Sequence, residues 1–137
     1  MREKLNEMTH LSTKMCMTRD IGVHGNLFGG YLISWLDEVA ATWACTMCKN
    51  PNMVTVKIDE MIFERPVKVG NQVSIYGKIK SVGTSSITLY IEARTKNFYS
   101  GEEELVCSTI FIFVRIGESG KPVAINPDVK QQLLDSI

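Results

Sequence analysis

Charge of one sign, basic blocks and long apolar runs are all missing from this chain of 137 residues. Fifteen Lys and Arg balance fifteen Asp and Glu, for a formal net charge of zero. No run of five or six basic residues occurs, so the electrostatic footprint of a nucleic-acid binder is absent and nucleic acid is not an expected partner. No stretch of eighteen apolar residues is free of polar interruption, which excludes an expected membrane helix. The opening residues MREKLNEMTH carry no apolar signal-peptide core, and a cytoplasmic location is the expectation. Four cysteines, Cys16, Cys45, Cys48 and Cys107, make too thin a set for a disulfide framework and read as free thiols of a reducing compartment. Cys45 and Cys48 form a single C-x-x-C with only His10 and His24 elsewhere, a poor zinc signal, and on a helix they read as small core residues. No internal repeat, low-complexity tract or linker interrupts the chain.

What remains is 45% hydrophobic, enough for one domain with a real core. Residues 1–137 are expected to form that single domain, with its elements between about 10 and 116. A short strand is predicted at KMCMTRD, residues 14–20. Gly22, Gly25, Gly29 and Gly30 then break the chain until a helix starts near Gly29 and runs to about Cys48, where Asn50 and Pro51 stop it. Four segments rich in β-branched and aromatic residues follow: MVTVKIDEMIFERPV, NQVSIYGKIKSV, SSITLYIEARTKN and ELVCSTIFIFVRI. In the third of these Ile87, Leu89, Ile91 and Ala93 alternate with Thr88, Tyr90, Glu92 and Arg94, the pattern of an antiparallel sheet with one covered face. The second repeats it with Val73, Ile75 and Ile79. The last is apolar on both sides, so its outer face is expected to meet something, such as another subunit. One long helix followed by antiparallel strands predicts an α+β domain with the sheet wrapped around a buried helix.

On a helical wheel at about 100° per residue, Leu32, Leu36, Val39, Trp43 and Met47 form a bulky stripe expected to contact the sheet. Tyr31, Glu38, Thr42 and Thr46 form a more polar side. The third side holds Gly30, Ile33, Ala40, Ala41, Ala44 and Cys48, with Asp37 at its centre. A mid-helix Asp is in general a solvated or capping residue. Here the small neighbours leave room for another chain or a slender substrate, and they supply no Lys or Arg for a structural ion pair. A carboxylate partly withdrawn from water is a candidate general base. Gly29 and Gly30 open the helix with amides that lack internal partners, at the positive end of its dipole, where an oxyanion can be held.

GNLFGGYLISWLDEVAA (25–41), VTVKIDEMIFERPVKVGNQV (54–73) and VGTSSITLYIEA (82–93) together resemble the hotdog-fold acyl-CoA thioesterases, in the branch of bacterial short- and medium-chain acyl-CoA hydrolases and animal cytosolic acyl-CoA thioester hydrolases. The resemblance covers about residues 10–115 and implies the fold just read. It implies that Asp37 activates water for attack on a thioester carbonyl, and that Asn26, in the glycine turn, acts with an Asp of an opposing unit. A homodimer or a trimer of dimers would then carry composite sites. The amides around Gly29 and Gly30 are similar to those that polarise the thioester oxygen in relatives. Coenzyme A contacts are implied for Arg65 and for the turn Gly83, Thr84, Ser85 and Ser86, whose guanidinium, hydroxyls and amides suit phosphate or pantetheine. Many relatives carry an Asn where this chain has Gly22. No metal or cofactor is implied, coenzyme A being part of the substrate. The rival readings are a non-catalytic acyl-CoA binder or sensor, and a hotdog enoyl-CoA hydratase that uses His24.

Overall fold

The computed structural model describes residues 7–137; residues 1–6, read above as carrying no leader, lie outside the described residues. The first strand, β1 (Thr9–Met15), begins five residues earlier than its predicted start. Its predicted second half is instead a short 3-10 turn, Thr18–Asp20, because the Asp20 carboxylate accepts a hydrogen bond from the Met17 amide at 2.8 Å and closes the chain on itself. The helix α1 (Gly29–Cys48) has the predicted bounds. It ends where Lys49 adopts a left-handed conformation, φ 53°, and the Lys49 and Asn50 amides return to the Thr46 and Cys45 carbonyls. The strands β2 (Met53–Ile58), β3 (Ile62–Phe63), β4 (Gln72–Val82), β5 (Ser86–Lys96) and β6 (Glu103–Arg115) follow, then a second helix, α2 (Pro127–Asp135).

All pairings are antiparallel, in the order β1-β4-β5-β6-β2, with β3 also paired to β6. β2 and β3 form one interrupted edge strand along β6, bridged at the break by the Asp59 amide on the Ile110 carbonyl and the Thr109 hydroxyl on the Asp59 carbonyl, both at 2.9 Å. The inward residues of β4 and β5 alternate as predicted, with Val73, Ile75, Ile87, Leu89, Ile91 and Ala93 fully buried and Ile79 partly so; on β6 Phe111 and Phe113 are fully buried beside them. This is the α+β hotdog arrangement, a sheet curled around one long helix. No helix among the described residues is long and apolar enough to cross a membrane.

Two expectations about faces are corrected. The helix stripe that the sheet buries is Leu32, Leu36, Ala40, Ala44 and Cys48, rotated from the bulky stripe toward the small-residue side. The sheet's own Phe111, Phe113 and Leu89 fill the interior, so only Ala fits opposite them along half of the helix. Val39, Trp43 and Met47 pack at the margin of the core instead. Trp43 reaches its place because β4 carries Gly77 there; a Cβ on Gly77 would lie 2.6 Å from the indole ring. Ile33, Asp37 and Ala41 are thereby left half-exposed beside β2.

The second correction concerns β5, whose outer residues are not solvated. Tyr90, Glu92 and Arg94 are 9%, 0% and 5% exposed. They are covered because they satisfy one another: the Tyr90 hydroxyl donates to Glu92 Oε1 at 2.9 Å, Arg94 Nε donates to Glu92 Oε2, and the Arg94 guanidinium lies 5.4 Å from the Tyr76 ring. Burial and a hydrogen bond to Glu103 push the Tyr76 hydroxyl up to about 12.

Sequence reading offered nothing for α2. Its start is nonetheless written in Asn126-Pro127-Asp128, where the Asn126 side chain accepts from the Asp128 and Val129 amides at 2.9 and 3.3 Å and Pro127 occupies the first turn. Ile125 and Val129, 2% and 8% exposed, carry burial beyond residue 116.

Candidate active site

The loop before α1 is zipped to the segment after β3. Leu27 N–H donates to the Val67 carbonyl at 2.8 Å, Phe28 N–H to Asp20 at 2.9 Å and Gly22 N–H to Asn26 at 2.9 Å, while Lys68 Nζ donates to Asn26 Oδ1 at 2.5 Å. The loop hands the chain to α1 with Phe28 as an N-cap that offers no side-chain cap, and no acidic residue stands in the first turn. No side chain of the first turn therefore compensates the positive end of the helix dipole near Gly29 and Gly30; a carboxylate from the segment after β3, Glu64, lines the cavity at this end. Glycine at position 30 lets the Phe28 ring lie close over the helix start: a Cβ there would be 2.9 Å from the ring, which would have to shift.

A cavity of about 370 Å³ opens at this end, lined by Asn26, Gly29, Phe63, Arg65 and Pro66 among others. Three of the predicted site residues therefore meet in one place. Arg65 is held there by β6, its Nε on the Leu105 carbonyl at 2.8 Å and its guanidinium paired with Glu104, and its side chain remains 40% exposed. His24 is exposed in the glycine turn.

Asp37 lies eight residues further along α1, about 12 Å from Gly29 at 1.5 Å per residue. Its Oδ1 accepts a 2.6 Å hydrogen bond from the Thr55 hydroxyl of β2, a length typical of a hydroxyl donating to a carboxylate. Its Oδ2 has no hydrogen-bond partner among the described residues. Sequence reasoning missed Thr55; the available signal was a polar residue two positions from Met53, on the strand face that Met53 buries. It also missed Lys68.

The turn Gly83–Ser86 joins β4 to β5 at the far end of β6. Arg115 N–H donates to the Ser85 carbonyl at 2.8 Å, whereas Arg65 is fixed at Leu105. Ten strand residues separate those anchors, about 33 Å at full extension. One chain thus brings Asn26, Gly29, Gly30 and Arg65 to one end. Asp37, Thr55 and the 83–86 turn gather toward the other, since Thr55 pairs with Phe113 and Phe113 with Ile87.

The cysteines take no part in either group. Burial pushes the Cys48 thiol up to about 11 and the Cys107 thiol, which also faces the Glu92 charge, up to about 12, so neither presents a thiolate at neutral pH. Cys45 Sγ donates to the Pro51 carbonyl.

Comparison with known proteins gives these positions a family. The thioesterase superfamily model matches residues 24–98, which include Asn26, all of α1 and the 83–86 turn. The chain is 34% identical to an uncharacterized acyl-CoA thioester hydrolase of Buchnera aphidicola, over 92% of this chain and 95% of that one. It is 34% identical to the acyl-CoA thioester hydrolase YciA of Salmonella typhimurium, over 79% of this chain and 83% of the other. Among solved structures, the hexameric thioesterase of Yersinia pestis superposes with a TM-score of 0.78 at 32% identity, covering 86% of this chain and 95% of that one. A hexameric broad-specificity acyl-coenzyme A thioesterase, crystallised as an Asp-to-Ala mutant, gives 0.84 at 30% identity over 93% and 94%. With its helix in the grip of a single antiparallel sheet and more than half its length matched by the family model, the chain belongs to the thioesterase superfamily, among the hotdog-fold acyl-CoA thioesterases.

Proposed function

We propose that this protein hydrolyses acyl-CoA thioesters in sites shared by two copies of the chain, with Asp37 as the base. The observation that carries this reading is Asp37 itself: half-exposed on the open flank of α1, held on one oxygen by Thr55, with the other oxygen available. About 12 Å of helix separates it from its own Gly29. A two-fold axis crossing α1 near Ile33 would set Asp37 of one copy against Gly29 and Gly30 of the other. The β2–β3 edge favours such pairing, since Val56, Ile62 and Phe63 are 55%, 57% and 48% exposed on an unpaired strand edge. Hexameric assembly is named for the similar Yersinia pestis enzyme, and a trimer of such dimers is the assembly proposed for this chain.

In the composite site Asp37 Oδ2 takes a proton from water as the water oxygen bonds to the thioester carbon. The carbonyl oxygen becomes an oxyanion facing the Gly29 and Gly30 amides of the partner copy, where the helix dipole stabilises it. Collapse breaks the carbon–sulfur bond, the coenzyme A thiolate leaves, and the proton on Asp37 passes to the sulfur. Asn26, from the copy that supplies the amides, orients water or the thioester. Arg65 and the 83–86 turn hold the coenzyme A portion. These groups complete the cycle without a cofactor.

The experiment is thiol release from acyl-CoAs running from acetyl to palmitoyl, by wild type, Asp37→Asn and Asn26→Ala. Each variant alone should lose at least about two orders of magnitude, within the range general-base catalysis supplies. Mixed and reassembled, the two variants should recover about a quarter of wild-type activity, because half the dimers would pair one of each and hold one intact site in two. No recovery on mixing would remove the shared site. Tight binding without release by wild type would replace the hydrolase with an acyl-CoA sensor.

A further inference from the structure

The 83–86 turn tips a hairpin of two eleven-residue strands, a place where a chain is ordinarily mobile. Here the backbone carbonyl of each of its last three residues is engaged. The Thr84 carbonyl receives the Ile125 N–H at 2.9 Å, the Ser85 carbonyl receives Arg115 N–H at 2.8 Å, and the Ser86 carbonyl receives Gly83 N–H at 2.8 Å. One outside donor, Arg115, is the last residue of β6, and the other, Ile125, lies in a fold-back of the chain that follows it. Val123 N–H closes on the Arg115 carbonyl at 2.8 Å, Gly117 N–H on Lys121 at 2.9 Å, and Ile116 bridges Pro122. The Arg115 guanidinium grips the Ala124 carbonyl at 2.9 Å, and Ile125 anchors the end of the segment in the core at 2% exposure.

We propose that residues 115–125 are positioning residues for coenzyme A, acting through the 83–86 turn. The inference rests on the reading of that turn as a coenzyme A contact. With its carbonyls occupied, the turn is left with donors: the Thr84 and Ser85 amides and hydroxyls have no partner among the described residues. A rim of donors held in one conformation suits the acceptor-rich part of the ligand, its phosphates and pantetheine amide carbonyls. A turn that has to be ordered at each binding event pays a conformational cost that a braced one has already met. The brace therefore belongs to coenzyme A affinity and not to the chemical step.

Ile125→Pro removes the N–H that reaches Thr84 while keeping an apolar side chain, and Arg115→Met releases the Ala124 carbonyl by a route that spares the backbone. For each variant KM and kcat are measured with an acyl-CoA and with the same acyl group on N-acetylcysteamine, which lacks the nucleotide, the phosphates and most of the pantetheine arm. KM for acyl-CoA should rise about tenfold, the equivalent of ordering one to two residues, with kcat and the truncated thioester unaffected. If Ile125→Pro does not fold, Arg115→Met decides. The Thr84→Ala/Ser85→Ala double variant separates the two levels. A KM increase in the double variant with none in the brace variants would overturn the positioning role alone. No increase in any of the three would remove the turn from the coenzyme A site, and the proposal with it. A parallel loss on the truncated thioester would show a general structural role and equally overturn it.

Discussion

Replacing Glu92 by Gln should destabilise the fold far more than a charge on the outer side of a sheet normally could. Glu92 is 0% exposed, the Arg94 side chain is 6% exposed, and the carboxylate receives Arg94 on one oxygen and the Tyr90 hydroxyl on the other. Glutamine can still accept from Arg94 and donate to the Tyr90 oxygen, but it carries no charge, so the guanidinium stays buried without a counter-charge. Breaking a buried pair in this one-sided way costs about 3–5 kcal/mol, against a total stability of about 7–20 kcal/mol for a chain of this length. Removing both charges in Glu92→Leu/Arg94→Met should bring stability back to within about 1 kcal/mol of wild type, or above it, because apolar replacements avoid the desolvation cost of both ions. Urea unfolding followed by the fluorescence of Trp35 and Trp43, at one fixed protein concentration, reads each difference as a shift in midpoint at constant slope. A loss under about 1 kcal/mol for Glu92→Gln would put the pair in the class of surface ion pairs and refute the reasoning.

Three other outcomes follow from the same geometry. Thr55→Val deletes a hydroxyl bond to a carboxylate at nearly constant shape, so kcat should fall about 10- to 150-fold, the equivalent of about 1.5–3 kcal/mol, while the midpoint of unfolding moves little; an unchanged kcat would show that Asp37 needs no such support. Val56→Lys places a charge on the β2 edge and should shift the protein toward monomer on size-exclusion chromatography with loss of thiol release, whereas an active monomer would dispose of the shared site. Ellman's reagent at pH 8 should titrate Cys45 quickly in the folded protein and the buried Cys16, Cys48 and Cys107 only in denaturant; a second fast thiol would contradict their burial and the raised Cys48 and Cys107 values.

The helix bounds were legible because glycine, asparagine and proline punctuate an apolar run, and the inward alternation of β4 and β5 was legible because a period of two has few other causes. The face of α1 that meets the sheet was not. A wheel ranks faces by bulk, whereas packing matches volumes, and a sheet rich in Phe and Leu takes Ala40 and Ala44 as its complement. Burial of Glu92 was equally hidden, since alternation alone cannot distinguish a charge that faces water from one that faces Arg94 and Tyr90. Asp37 and the glycine turn were visible as a motif. Thr55 was not, because its meaning comes from the chain between it and Asp37, eighteen positions back, which folds it onto α1.

Because Ala40 and Ala44 are pressed to 0% exposure beneath their own sheet, an acyl tail has no room against that face of the helix. A tail reaching the proposed site at Asp37 would run along the half-exposed flank past Ile33 and Ala41, where a second copy would pack. Selectivity for chain length and affinity between subunits would then be settled by the same few side chains. A mutation that deepens the pocket would also loosen the pair, and the longest tail the enzyme accepts would be limited by how much contact its subunits can give up before they part.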